Sequence, residues 1–91
     1  MDEKITIDYL WDLLIQHQNE TFYTMKHLPF NYYVKGGEIF VDRRSKSITK
    51  ATFAQALDKI KKDPEHITGP KSLCVFGAPY IWAILKTFKI V

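Results

Sequence analysis

The Gly36-Gly37 pair, with side chains that alternate on both sides of it, constrains this fold more than any other feature. Two glycines between strand-like runs are typical of a two-residue hairpin turn, which demands positive φ. Counting outward from the turn pairs Tyr33 with Phe40. Because strand side chains alternate between the two faces of a sheet, the register separates a core face from a second face. The predicted core face carries Phe30, Tyr32, Val34, Ile39 and Val41, and the second face carries Tyr33, Lys35, Glu38 and Phe40.

Two segments have the apolar spacing of amphipathic helices, and each follows a threonine that is suited to be its N-cap. The first follows Thr6 and predicts a helix over 7–17. The second follows Thr49, with Ile48 and Phe53 at the positions of a hydrophobic staple, and the Asp63-Pro64 pair ends it.

A third helical segment begins at Pro70, which suits the first position of a helix because proline has no N–H to leave unpaired. Residues 71–88 are apolar nearly all round, which is typical of a helix that is central or lies at an interface. Pro79 removes a backbone hydrogen bond and clashes with the preceding turn, so we expect a kink or break near Gly77 and Ala78.

These elements predict an α+β fold: an N-terminal helix, a three-stranded antiparallel sheet with the Gly-Gly hairpin, and two C-terminal helices. The β-prone run 21–25 is the expected third strand. The chain has 91 residues, too few for a second domain, so we predict a single domain over 1–91.

Cysteine usage and hydropathy favour a cytoplasmic protein. The single cysteine, Cys74, excludes an internal disulfide and lies in an apolar run, where we expect it to be a core residue. The opening MDEKITIDYL carries charges where a secretory signal needs an apolar region. The uncharged stretch 72–85 has 14 residues and is interrupted by Gly77 and Pro79, so it predicts no membrane span.

The net charge of +3 is unevenly distributed along the chain. Residues 1–20 hold five acids and one lysine, a net −4, whereas residues 21–50 hold six bases and two acids, a net +4. This division indicates one side that faces a polyanion and an opposite acidic side.

The sequence gives little support for an enzyme, a metal or a cofactor. The three histidines and Cys74 share no close ligand spacing. Asp8 and Asp12 would share one face of the first helix, where they are expected to be solvated acids rather than a catalytic pair. We therefore predict a non-enzymatic protein with no metal site.

The segment DRRSKSITK, residues 42–50, is the strongest candidate site, and it predicts a nucleic-acid-binding or regulatory module that contacts phosphates there. It combines basic side chains and hydroxyls with the start of a helix, where free N–H groups and the dipole favour an anion. An ordinary solvated turn with helix capping is the other reading of this segment. The predicted nucleic-acid or phosphate-binding residues are Arg43, Arg44, Ser45, Lys46, Ser47, Thr49 and Lys50. Tyr23, Tyr33 and Phe40 are the predicted stacking residues.

The alternative function is a protein–protein interaction module or a homodimer. Thirteen aromatic residues are more than a small core readily hides. The aromatic C-terminal helix 71–88 is the candidate interface, with Tyr80 and Trp82 as its contact residues.

GGEIFVDRRSKSITKATFAQAL and GPKSLCVFGAPY resemble motifs of a small uncharacterised protein family of Gram-positive bacteria, often associated with prophages and other mobile elements. The resemblance covers residues 30–85. It implies a compact stand-alone domain and a mobile-element setting, with no established activity to carry over. Pro79 departs from the serine expected in such proteins, which argues against a straight third helix.

Overall fold

A computed structural model describes residues 5–43 and 46–91, which form four helices and five short strands. The helices are α1 (Ile7–Gln16), α2 (Lys50–Lys62), α3 (Pro70–Leu73) and α4 (Ala78–Thr87). The strands are β1 (Phe22–Tyr23), β2 (Pro29–Phe30), β3 (Tyr32–Lys35), β4 (Glu38–Val41) and β5 (Ile48–Thr49). This arrangement confirms the predicted α+β class. No helix in the described ranges is both long and apolar enough to span a membrane.

Both predicted N-caps are confirmed. The Thr6 hydroxyl accepts the Tyr9 N–H at 3.1 Å, and the Thr49 hydroxyl accepts the Thr52 N–H at 3.2 Å. Each threonine has extended backbone dihedrals, so the chain turns into the helix at that residue.

The hairpin has the predicted register, since Tyr33 lies opposite Phe40 and Lys35 lies opposite Glu38. Gly36 supplies the positive φ that the turn demands, at 62°. The turn fixes which residues of the two strands lie opposite one another. It therefore also fixes which side chains point to the core face and which point to the second face.

The strand predicted within residues 21–25 is present as β1, and so is a three-stranded antiparallel sheet, but the third strand of that sheet is β5 rather than β1. Residues 21–25 do not join the three-stranded sheet, which has the order β3-β4-β5. β1 pairs instead with β2 in a separate two-stranded ladder, because a tight loop over 24–28 returns the chain on itself. The Thr24 N–H donates to the Leu28 carbonyl at 3.0 Å, and His27 takes a positive φ of 64°.

The C-terminal helical segment is broken near Gly77 and Ala78, as predicted. α3 ends at Cys74 with φ 52°, and Gly77 precedes α4 with φ 74°. A Cβ at Gly77 would lie 2.5 Å from Ile48 Cδ1, so glycine is needed both for its backbone and for its size. Cys74 is exposed at this break, which corrects the expectation of a core thiol.

α1 and α2 contact the β3–β4–β5 sheet, α4 contacts β1 of the two-stranded ladder, and α3 packs between α2 and α4. Buried side chains come from all four helices. Tyr32 is 1% exposed, and its hydroxyl donates to the Leu14 carbonyl of α1 at 2.7 Å. Burial is the main cause that raises the pKa of the Tyr32 phenol, and the charge of Glu20 adds to it. The largest fully buried side chains are Tyr32, Phe30, Phe53, Leu10, Leu14, Ile39, Ile48, Leu73, Ile81, Ile84 and Leu85.

Candidate nucleic-acid interface

The basic segment 42–50 leads from the end of β4 into α2. Arg43 and Lys46 are both exposed. The Arg43 Nε donates to the Pro29 carbonyl at 2.6 Å, which ties the guanidinium to the β1–β2 ladder. Arg44 and Ser45 lie outside the described residues.

The hydroxyls of this segment have partners within the chain. Ser47 donates to the Glu38 carboxylate on the neighbouring strand. Thr49 accepts the Thr52 N–H as helix N-cap and also lies 2.9 Å from the Thr52 hydroxyl. A phosphate that bound Ser47 would have to displace the Glu38 carboxylate, and the Thr49 oxygen is already the acceptor that caps α2.

Lys50 is directed toward α1 rather than toward a ligand. Its Nζ lies 3.0 Å from Asp8 Oδ1 and 5.9 Å from the Trp11 ring centroid. Its backbone N–H donates to the Gly37 carbonyl at 2.8 Å. At the start of α2, the Lys50 side chain and two backbone N–H groups therefore have partners within the chain. Helix capping describes this arrangement better than a phosphate-binding site does.

The second face of the sheet carries an uncovered aromatic pair. The Tyr33 and Phe40 rings stack with centroids 5.0 Å apart and an angle of 14° between their planes. Tyr33 is 48% exposed and Phe40 is half-buried. The predicted face is thus present, with Tyr33 and Phe40 in contact on it.

Polar groups lie beside this aromatic pair. A shallow depression of about 380 Å³ is lined by Tyr33, Phe40, Asn31 and Asp42, with Asn19, Tyr32 and Val41 completing it. The Asp42 carboxylate accepts the Asn31 N–H at 3.1 Å and remains exposed. The depression combines an aromatic wall with amide and carboxylate groups, which is a suitable environment for a planar polar ring.

Tyr23 is 58% exposed but does not join Tyr33 and Phe40. It belongs to the separate β1–β2 ladder and borders a hollow against α4 with Trp82 and Lys86. The three predicted stacking residues therefore divide into one pair and one separate side chain.

The predicted interface residues are mostly buried within their own chain. Trp82 is 6% exposed, because α4 carries it into the core, and this corrects its assignment as a contact residue. Tyr80 is half-buried and packs edge-on against Phe30, with ring centroids 5.0 Å apart.

The sequence reasoning missed Met25 and Leu28, which are 60% and 45% exposed on the 24–28 loop. The sequence around both residues is typical of a strand followed by a loop, so it did not indicate an exposed apolar surface. The signal that could have revealed them is the Lys26-His27 pair between two apolar residues, which suits an exposed turn better than a strand.

No protein-family model, curated protein or solved structure matches the chain. The resemblance to a family of Gram-positive bacteria therefore stays a prediction. Within residues 5–43 and 46–91, no cluster of three or more His, Cys, Asp or Glu side chains is arranged to hold a metal ion.

Proposed function

We propose that this protein binds single-stranded nucleic acid on the second face of its sheet. The observation that carries the proposal is the stacked Tyr33–Phe40 pair, in which Tyr33 is 48% exposed on the second face. The site keeps Arg43 and Lys46 of the predicted segment 42–50 but leaves out Ser47, Thr49 and Lys50, whose side chains have partners within the chain.

Stacking supplies the contact to the bases. Every base has a π face, so an exposed aromatic pair accepts bases of any sequence once they are unpaired. Tyr33 offers its open side to one base, and the depression beside it places Asn31 and Asp42 within reach of a base edge. A carboxylate accepts from an exocyclic amino group, so Asp42 favours a base that carries one.

We assign the phosphate contacts to three exposed cations that adjoin β3 and β4 in the sequence. Lys35 lies at the turn end of β3, and Arg43 and Lys46 follow β4; all three are exposed. Glu38 and Asp42 lie on the same surface and oppose a polyanion. Three phosphates at most are neutralised, which corresponds to a log–log salt slope of about −2 for a single strand.

The test is a fluorescence-anisotropy titration with labelled single-stranded homopolymers of DNA and RNA and with a duplex of equal length. Tyr33→Ala is expected to weaken single-strand binding by about 5- to 150-fold, since stacking on an aromatic ring contributes about 1–3 kcal/mol per base. Tyr23→Ala is the matched control, because it removes an equally exposed tyrosine away from the sheet face. Equal effects of these two substitutions, or tighter binding to the duplex, would contradict the proposal.

The phosphate contacts are tested separately, by the salt dependence of binding. Lys46→Ala should reduce the magnitude of the salt slope by about 0.7, whereas Lys61→Ala, which removes an exposed lysine of α2, should leave the slope unchanged. A salt slope that is unchanged in Lys46→Ala would exclude the basic segment from the site, so that stacking would be its sole contact with the nucleic acid.

A further inference from the structure

A second surface lies on the 24–28 loop, away from the sheet face. Between this loop and the starts of α3 and α4 there is a hollow of about 400 Å³, whose apolar lining includes Met25, Leu28, Pro79 and Tyr80. A further hollow of about 360 Å³ lies between the loop and α4 and is also bordered by Met25. We call the two hollows together the Met25 groove, because that side chain borders both.

The loop holds Met25 outward by its own hydrogen bonds. Thr24 is buried; its N–H donates to the Leu28 carbonyl at 3.0 Å, and its hydroxyl accepts the Leu28 N–H at 3.2 Å. The turn is therefore closed, and the exposed thioether is part of a fixed surface. Methionine adapts its shape to a partner more readily than branched side chains do.

The charged residues that line the Met25 groove are basic. Lys26 and Lys71 line the first hollow, and His27 and Lys86 line the second. Neither hollow has an Asp or Glu among the described residues that line it. A complementary occupant presents apolar side chains together with carboxylates.

The outward face of α1 has this chemistry. Asp8, Asp12 and Ile15 follow one another at helical spacing, and Tyr9 and Gln16 flank them. All five are exposed, with Tyr9 at 50% and Ile15 at 46%. We call this surface the acidic α1 face.

Most of the acidic α1 face is turned away from the rest of its own chain, and Asp8 at its start forms an exposed ion pair with Lys50 of α2. Leu10, Trp11 and Leu14 are the buried residues of α1, and they hold the helix to the core by its opposite side. The ring of Trp11 packs edge-on against Phe53 of α2 at 5.8 Å. The chain cannot seat this face in its own groove without detaching α1 from the core.

We propose that the acidic α1 face of one copy docks into the Met25 groove of a second copy. Ile15 and Tyr9 contact the apolar lining, and Asp12 approaches the lysines of the rim. Asp8 joins it by exchanging its exposed ion pair with Lys50 for one with a rim lysine. The contact joins different surfaces of the two copies, so it is head-to-tail and forms a ring or an open chain. Its ion pairs are exposed to solvent, so the contact is weak and depends on salt.

Sedimentation equilibrium over a wide concentration range tests this contact. The wild-type protein is expected to rise above the monomer mass of 10.7 kDa as concentration increases, and less so at high salt. Met25→Asp in the groove and Ile15→Asp on α1 should each remain monomeric. Gln55→Asp is the control, because it adds the same charge at an exposed position of α2 and should associate like the wild type.

Mixing the two variants provides the decisive measurement. The Met25→Asp copy retains its acidic α1 face and the Ile15→Asp copy retains its groove, so an equimolar mixture should form a 1:1 complex. The complex cannot grow, since its two remaining surfaces both carry a substitution. Denaturant unfolding of each variant separates loss of the contact from loss of the fold.

Three outcomes would overturn the proposal. One is a wild-type protein that is monomeric at every concentration, and another is a mixture that remains monomeric. The third is a monomer that binds vesicles containing anionic lipid through the Met25 groove, with binding lost in Met25→Asp, which would assign the groove to a membrane surface instead.

Discussion

Two adjacent tyrosines have opposite environments in this protein. Tyr32 is 1% exposed and donates its hydroxyl to the Leu14 carbonyl, whereas Tyr33 is 48% exposed and stacks on Phe40. Residue type does not distinguish them. Their position relative to the Gly36 turn does, because a one-residue shift along a strand moves a side chain to the other face of the sheet.

The comparison extends to the whole hairpin. Val41 lies opposite Tyr32 and is buried with it, while Phe40 lies opposite Tyr33 and is only half-buried. The inward face thus stabilises the fold, and the outward face is available for a ligand. Substitutions on the two faces should differ in the property that they change as well as in magnitude.

The largest expected effect is that of Tyr32→Ala. Removal of a fully buried aromatic side chain costs about 3–5 kcal/mol, a large share of the roughly 5–15 kcal/mol that stabilises a small domain. Tyr33→Ala should cost less than about 1 kcal/mol. Urea denaturation measures both, and equal losses would show that the two faces do not differ as described.

Gly77→Ala should have the next largest effect, about 2–4 kcal/mol. The added methyl group would overlap Ile48 on the inward face, and alanine is strained at a φ of 74°. Gly37→Ala is the control, since a Cβ there meets no atom within 4 Å and φ is not positive. A change in Gly77→Ala as small as in Gly37→Ala would mean that the break before α4 is loosely packed.

Tyr32→Phe isolates the buried hydroxyl and should cost about 1–2 kcal/mol, because the Leu14 carbonyl loses its donor. The folded state raises the pKa of Tyr32 above the value of about 10 in an unfolded chain. The stability that the neutral phenol contributes is therefore fully present below pH 10 and is lost as the pH rises above 10.

The unfolding free energy of the wild type should consequently fall more steeply above pH 10 than that of Tyr32→Phe. Tyr33→Phe removes an exposed hydroxyl and should have the stability of the wild type at neutral pH. A parallel decline of wild type and Tyr32→Phe would contradict a buried neutral phenol at residue 32.

The smallest expected effect is the coupling between Tyr33 and Phe40. A half-exposed cross-strand aromatic pair contributes about 0.5 kcal/mol, which a double-mutant cycle of Tyr33→Ala and Phe40→Ala measures. A coupling energy above about 2 kcal/mol would place the pair in the core and remove the contrast with Tyr32.

The sequence predicts the local features of this molecule well. The register around Gly36, the caps Thr6 and Thr49 and the break near Gly77 all depend on residues within a few positions of one another. The strand predicted within 21–25 is present, but its placement beside the hairpin was wrong, because the choice between β1 and β5 as partner of the hairpin depends on tertiary packing.

The candidate site was harder to predict for a related reason. Lys50 is held by Asp8, 42 residues earlier, and Ser47 by Glu38 on another strand. Trp82 is buried in the core. The sequence periodicity of α4 could not predict this burial, because a helix that is apolar all round has no distinct buried face. Partners that are distant in sequence decided which side chains remained available.

The break between α3 and α4 also exposes a natural site for chemical labelling. Cys74 is the sole cysteine in the chain and is exposed there, between two residues that line the Met25 groove, Lys71 and Ala78. A maleimide fluorophore or spin label attached to its sulfur needs no cysteine to be added or removed. Docking of a second copy would then be read as quenching or as a distance between two labels, in the unaltered sequence.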